Sequence, residues 1–502
     1  MNSAFRAHQM RDWDAFTISN LPISSIDLME NAARACVTWL EDHEFLYSEK
    51  FTIFCGKGNN GGDGLAIARL LGERNKKVQV FILEFGQPGT ADFQTNLQRL
   101  HGSEVDIQYL QEGGDLPEIF PDSWIIDALL GTGTSRPATG RLEILIDFIN
   151  RSGCPVCSID LPSGMPADFS IGPFNSEGQP YFPSVRAKVT LSFQSYKPAL
   201  LFAENAAYTG LVHLLDIGLS SAFLKSTDPD FEGVDQEMAS GIIEPRSPFA
   251  HKGNFGHALL IAGSVGKMGA ALLAGKACLR AGCGLLTFQS PETERSILQT
   301  GLPEAMLLTG HIDANYYRSI GCGPGLGQSA AAATLLEQIL NEVKRPMVWD
   351  ADAINLLAVQ TEWQKKIPPF TILTPHPKEF DRLAGISINE SERWNSARAL
   401  AISKQWIIIL KGHHTLIAMP GGKAYFNTSG NAAMAKGGSG DVLTGLLTGL
   451  IARGYTPEKA ALLGVWLHGR AGDFAASEWG MESVLAGDII DQIGNAFMEI
   501  SS

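Results

Sequence analysis

Residues 51–71 read FTIFCGKGNNGGDGLAIARLL, and the change of pattern inside this stretch decides the fold. FTIFC is a short apolar run with strand character, whereas GLAIARLL carries its apolar residues at helical spacing. A strand that enters a helix through glycines leaves backbone amides uncovered at the helix start, which suits an anionic or polar ligand. Gly56, Gly58 and Gly61 satisfy the GxGxxG spacing, and Glu84 after VFIL supplies the acid that a dinucleotide-binding dehydrogenase requires, so an oxidoreductase is one reading. Asn59, Asn60 and Asp63 place three polar side chains inside the turn. They either handle a ligand or ion, or serve as the left-handed residues of the turn.

Working outward, Ser24 to Asp27 form a capping box, and Met29, Ala32, Ala33, Cys36, Val37 and Leu40 recur at helical spacing. VQVFIL, WIIDALL, LEILIDFI, PVCSIDL and KVTLSF continue an alternation of strands and helices. That pattern predicts an α/β fold with a Rossmann-like, doubly wound parallel sheet, whose ligands bind beyond the carboxyl ends of the strands. Periodicity is lost from Ser220 to Glu237. A second alternation follows through HALLIAG, AALLAGKACLRAG, PMVWDADAINLL, FTILTPHP and WIIILKG, ending in a helical pattern from Asp441. The expected organisation is a first domain over 1–219, a linker over 220–237 and a second α/β domain over 238–502.

The chain has 502 residues, 45% hydrophobic and 18% charged, which is long enough for two globular cores. A net charge of −14 provides no basic field for nucleic acid or an anionic membrane. The N-terminus lacks a signal-peptide core, so the expected location is cytoplasmic. Cys154 and Cys157 form a CxxC pair inside a buried-strand pattern; a core strand accounts for it better than a redox motif. The 11 histidines include no metal-ligand spacing, which argues against zinc chemistry.

Two further strand ends add to the glycine turn. Asp127 ends WIID before the small-residue loop LLGTGTSRP, and Asp160 ends SID before Pro162 and Ser163. Together CGKGNNGGDG, IDALLGTGTSRP, IDLPSG and KVTLSFQSYKPAL resemble the NAD(P)H-hydrate epimerase family over most of the first 215 residues. The resemblance implies a hydrate site made by Asn59, Asn60, Gly61, Gly62 and Asp63, by Gly131, Thr132, Gly133, Thr134, Ser135, Arg136 and Pro137, and by Asp160. It also implies a potassium ion on Asn60, Asp127 and Ser163, an all-oxygen set suited to a hard cation. Inversion at C6 of the hydrated ring needs a group that exchanges a proton with the ring hydroxyl, and Asp160 is the nominated acid/base.

In the second half, GNAAMAKGGSGDVLTGLLTGL sets Gly437, Gly438 and Gly440 before an apolar helix with Asp441 at its mouth. This is either an anion hole or a capped, glycine-rich helix start. His376 and Glu379 follow one strand, and Lys411 to Thr415 occupy a turn between two others. With GCGPGLG and VWDADAIN, these motifs resemble the ribokinase-like NAD(P)H-hydrate dehydratase family from about Ala250 to Ala476. The resemblance implies that Ala270, Gly325, His376 and Asp441 contact the hydrate, and that Lys411, Gly412, His413, His414, Thr415 and Gly440 bind an adenine nucleotide. Lys378 and Ser439 stand where the family commonly has glycine and threonine.

Water elimination would then proceed with Asp441 taking the C6 hydroxyl proton, transfer of the nucleotide's terminal phosphoryl group, and expulsion of phosphate by the ring nitrogen. ADP is the expected co-substrate, with ATP as an alternative, magnesium as its companion ion and a homo-oligomer as the assembly. Two other functions compete. A small-molecule kinase joined to a dinucleotide-binding domain would release a stable phosphorylated product. A first domain acting only as a scaffold would have no chemical need for Asn60, Asp127 and Asp160 together.

Overall fold

The computed structural model describes residues 3–43, 48–84, 86–174 and 181–501. The chain divides into two compact units, Met1–Phe231 with Ile388–Ser391, and Glu232–Ser387 with Glu392–Ser502.

The first unit holds a seven-stranded sheet. Its strands are β1 (Lys50–Cys55), β2 (Lys77–Leu83), β3 (Asp106–Leu110), β4 (Trp124–Ala128), β5 (Val156–Ile159), β6 (Val189–Phe193) and β7 (Leu211–Leu215). They lie in the order β3-β2-β1-β4-β5-β6-β7, every neighbouring pair parallel. The order reverses between β1 and β4, which is where a doubly wound sheet opens a crevice. FTIFC reads as a continuous apolar run because both faces of β1 are covered. Phe51, Ile53 and Cys55 pack with the helices Ser25–Asp42 and Asn59–Gly72, while Phe54 packs on the opposite side with Leu145 and Ile149. Ser24 caps the first of these helices by accepting from Asp27 N at 3.3 Å, and Met29 to Leu40 bury the predicted stripe.

The second sheet has ten strands: β8 (Glu232–Val234), β9 (His257–Ile261), β10 (Leu285–Gln289), β11 (Met306–Leu308), β12 (Ser319–Cys322), β13 (Val348–Trp349), β14 (Ile372–Leu373), β15 (Ile407–Leu410), β16 (Leu416–Ala418) and β17 (Ala424–Asn427). Their order is β11-β10-β9-β12-β13-β14-β15-β16-β17-β8. Pairing is parallel from β11 to β15, antiparallel through β16 and β17, and parallel again to β8. The segment Ser220–Glu237, which shows no periodicity, carries a 3-10 turn at Ser221–Lys225 and the strand β8. Three residues are too few to display a period of two, and β8 forms because β17 offers it an edge. Helix Ser439–Arg453 is buried from Val442 to Ala452 and crosses helix Met268–Arg280 at close range. A Cβ on Gly445 would stand 1.9 Å from Ala274 O, so only glycine permits that approach.

Candidate active sites

In the first unit the predicted residues meet at the carboxyl ends of the adjacent strands β1, β4 and β5. The glycine segment after β1 is not wholly a turn. The helix begins at Asn59, so Asn59 and Asn60 occupy its first turn with its uncovered amides, and Asp63 lies one turn further on. The early start depends on glycine, because a Cβ on Gly61 would stand 1.8 Å from Gly56 O and one on Gly56 would stand 2.0 Å from Leu129 O. Glu84, the acid a dehydrogenase would use on a ribose, is joined to Lys57 Nζ and accepts from Gly86 N at 2.8 Å, so it braces the loop.

Asp127 is fully buried. It accepts from Ser158 Oγ at 2.7 Å, Ser163 N at 2.8 Å, Ser163 Oγ at 2.5 Å and Leu129 N at 3.3 Å. Burial pushes its carboxyl up, and the bonds from Ser163, Ser158 and Leu129 oppose that push. Asn60 Nδ2 donates to Leu130 O at 2.8 Å, and Leu130 N donates to Ser163 Oγ at 2.8 Å. Asn60, Asp127 and Ser163 therefore converge around Leu130, with Gly131 lying against Asn60. A buried carboxylate whose contacts are hydroxyls and amides, beside a carbonyl and an amide oxygen, fits a potassium ion in donor type and in its need for a compensating charge. Beyond Gly131, Ser135 and Arg136 stand exposed on the outer part of the loop.

Asp160 directly follows β5 with φ +65°, a left-handed conformation that non-glycine residues adopt at a cost. Its Oδ1 lies 2.5 Å from Lys197 Nζ, a residue that carried no signal in QSYKP beyond its charge. Asp63 is buried, and burial followed by the charges of Asp160, Asp14 and Asp92 pushes its carboxyl well up. Asp14, from helix Ala7–Asn20, is pushed up to about 6 by burial and Asp160, with Lys197 pulling the other way. Asp14 lies outside every motif and Lys197 sits within KVTLSFQSYKPAL with no role assigned to it, and only the folded chain brings them to Asp160. Cys157 is buried within β5, in accord with a core strand, and all seven cysteines are free thiols.

The second unit gathers its predicted residues at the carboxyl ends of five adjacent parallel strands, β9, β12, β13, β14 and β15. Gly325 lies against Ala270, since a Cβ on it would stand 3.0 Å from the alanine Cβ, and Ser264 Oγ donates to Gly325 O at 2.7 Å. His376 caps the helix Pro377–Ala384: its Nδ1 accepts from Lys378 N and Glu379 N at 3.1 and 3.3 Å, while Glu379 Oε2 accepts from His376 N at 2.9 Å. Burial pulls the His376 imidazole down, favouring the neutral ring that this capping requires. Lys411 N donates to Pro375 O at 2.9 Å, tying the nucleotide turn to the His376 strand. His413 and His414 pack edge to face at 4.5 Å in that turn.

Gly438, with φ +98°, precedes the helix that begins at Ser439, so Gly440 and Asp441 lie in its first turn. Asp441 is pushed up to about 6 by burial and by Asp350, against the pull of Lys411. Behind it, buried Asp350 accepts from Lys411 Nζ and Thr444 Oγ1, each at 2.8 Å. Asp352 holds the Gly325 loop by accepting from Gly327 N at 2.8 Å and Gln328 Nε2 at 2.9 Å. The DADA string after a strand was the available signal for Asp350 and Asp352; Thr444, inside an apolar helix, gave none. His468 Nε2 lies 3.3 Å from Ser439 Oγ, and burial pulls this histidine down to about 4.

Residues 258–495 match the family described as NAD(P)H-hydrate dehydratase, and residues 25–199 match the YjeF-related protein N-terminus. The bifunctional NAD(P)H-hydrate repair enzyme of Moorella thermoacetica is 34% identical over 511 residues, which cover 97% of this chain and 94% of the relative. That of Coxiella burnetii is 33% identical over 519 residues, covering 98% of this chain and 99% of its own. Among solved structures, a ribokinase-like superfamily protein of Enterococcus faecalis aligns with a TM-score of 0.50 at 26% identity, over 55% of this chain and 99% of that one. The second unit is therefore ribokinase-like, as the sequence motifs implied. Among the described residues, no helix is long and apolar enough to cross a membrane.

Proposed function

The chain belongs to the family of bifunctional NAD(P)H-hydrate repair enzymes, and from that premise we propose how its residues divide the repair of hydrated NADH and NADPH. The first half epimerises the hydrate at C6 and the second dehydrates it to the reduced coenzyme. In the first site Asp160 exchanges a proton with the C6 hydroxyl, while the segments Asn59–Asp63 and Gly131–Pro137 hold the rest of the hydrate. Potassium, held by Asn60, Asp127 and Ser163, would supply the positive charge that the buried Asp127 requires and stiffen the Gly131 loop.

In the second site Ala270, Gly325 and His376 line the hydrate and Asp441 accepts the C6 hydroxyl proton. The freed oxygen takes the terminal phosphoryl group of ADP, or alternatively ATP, bound through Lys411 to Thr415 and Gly440. The ring nitrogen's lone pair then forms a C=N bond to C6 as phosphate leaves with the C6–O electron pair, and loss of the C5 proton restores the dihydronicotinamide. Amides of Lys436 to Gly440 stabilise the transferring charge, and magnesium enters with the nucleotide phosphates. The coenzymes concerned are water-soluble metabolites, and we assign the protein to the cytoplasm with them.

The observation that carries these assignments is that each unit holds a carboxyl group, Asp160 or Asp441, at a glycine-rich helix start on the carboxyl edge of its own sheet. The test mixes both hydrate epimers with ADP, magnesium and potassium and follows the absorbance of reduced nicotinamide. Wild-type protein is expected to clear both epimers with release of phosphate. Asp160→Asn should consume the S epimer and leave the R epimer to slow spontaneous exchange, whereas Asp441→Asn should dehydrate neither. A stable phosphorylated product would support the kinase alternative, and rapid clearance of both epimers by Asp160→Asn would remove that residue from the mechanism.

A further inference from the structure

Lys197 is fully buried, which a lysine rarely is unless its charge is used. Its ammonium has three acceptors for three protons: Asp160 Oδ1 at 2.5 Å, Phe193 O at 2.9 Å and Ser192 Oγ at 3.0 Å. Ser192 and Phe193 end β6, and the turn that follows is pinned from the N-terminal segment. Phe5 N donates to Tyr196 O at 3.0 Å, and Ser195 Oγ donates to Met10 Sδ at 3.2 Å. The lysine is thus fixed at both ends before any ligand arrives. Both contacts to Asp160, from Lys197 Nζ and from Phe193 N at 3.4 Å, fall on Oδ1.

Three carboxyl groups from different elements compete in this neighbourhood. Asp160 follows β5, Asp14 comes from helix Ala7–Asn20 and Asp63 from helix Asn59–Gly72. The Cys36 thiol of helix Ser25–Asp42 also faces the cluster. Burial and the like charge of Asp160 push Asp14 up to about 6 and Asp63 well up, so both hold their protons more tightly than ordinary carboxyls. We infer that Lys197 is a positioning residue of the epimerase site: its ion pair on Oδ1 selects Asp160, ahead of Asp14 and Asp63, as the first of the three carboxyls to ionise, and leaves Oδ2 facing the hydrate hydroxyl. The inference rests on Asp160 being the epimerase acid/base.

The test measures the pH profile of epimerase kcat/KM in the full-length protein, with circular dichroism as the check on folding. Lys197→Met is expected to move the acid limb to higher pH by about one unit or more, so that activity falls about tenfold at pH values below the wild-type limb and is regained once pH rises above the shifted one. Asp14→Asn alone should leave the limb in place, because Asp14 is already protonated there. In the Lys197→Met background it should move the limb part of the way back, since one competitor for the charge is gone. A folded Lys197→Met with the wild-type profile, or with the same loss at every pH, overturns the inference. If Lys197→Met does not fold, Ser192→Ala keeps the ammonium but removes one of its three anchors; it must lower kcat while sparing KM, and an unchanged kcat overturns the inference. Persistent epimerisation by Asp160→Asn would instead overturn the assignment beneath it, which separates the two failures.

Discussion

Lys411 Nζ lies 2.8 Å from Asp350 Oδ1, and Gly440 closes over the pair: a Cβ there would stand 3.3 Å from the ammonium and 3.7 Å from Asp350 Oδ2. The glycine-rich helix start is therefore laid directly on an ion pair of which Asp350 is almost wholly buried. Removing one partner of such a pair leaves the other's charge without compensation. Lys411→Met is expected to lower the stability of the second unit by about 2–4 kcal/mol, and Lys411→Met with Asp350→Asn to recover part of that loss. The calorimetric transition of the dehydratase half checks this, and strict additivity of the two substitutions would show that the pair is uncoupled.

Asp441 carries a raised carboxyl, about 6 against an ordinary 3.8, so the folded state holds its proton more tightly than the unfolded chain does. Its stabilising contribution is complete at pH values below the ordinary carboxylate value and is lost as pH rises through about 6. Asp441→Asn should consequently be more stable than wild type at pH 8 by about 1–3 kcal/mol, a gap that closes on acidification. The same group must be ionised to act as a base, so wild-type dehydration should decline as pH falls through about 6. Thermal midpoints of both proteins across pH, together with the dehydration rate, test the sign of each effect.

Potassium replacement should affect the two activities unequally. Asn60, Asp127 and Ser163 all belong to the first unit, so exchanging potassium for lithium is expected to slow epimerisation by about tenfold or more while changing dehydration far less. Asp127→Asn should abolish the difference between the cations. Equal responses of the two activities would identify a general salt effect.

Cleavage of the chain between Phe231 and Glu232 should yield two soluble halves that each keep their reaction. Apart from Ile388–Ser391, which stays with the second half, the cut falls where the two units divide, and the proposed ligands of each reaction lie on one side of it. Mixed halves are expected to clear the R epimer completely, because the hydrate diffuses between sites. A half that is inactive alone and regains activity on mixing would show that the catalytic units depend on each other.

The sequence alone was sufficient for what is local or periodic. The run FTIFC, the helix stripe from Met29 to Leu40 and the glycines before Asp441 follow from burial on two faces, from a period of 3.6 residues and from the steric freedom of glycine, and each is written in neighbouring residues. Motif order likewise identified the family, and Asp160 and Asp441 were nominated from it. Tertiary structure decided the charges around them. Lys197 and Asp14 approach Asp160 from a turn after β6 and from the first helix, and Thr444 reaches Asp350 across 94 positions of chain. Electrostatic interaction depends on distance in space and on burial, neither of which has a period, and a lone lysine in QSYKP or a threonine in an apolar helix looks the same whether it faces water or a buried carboxylate.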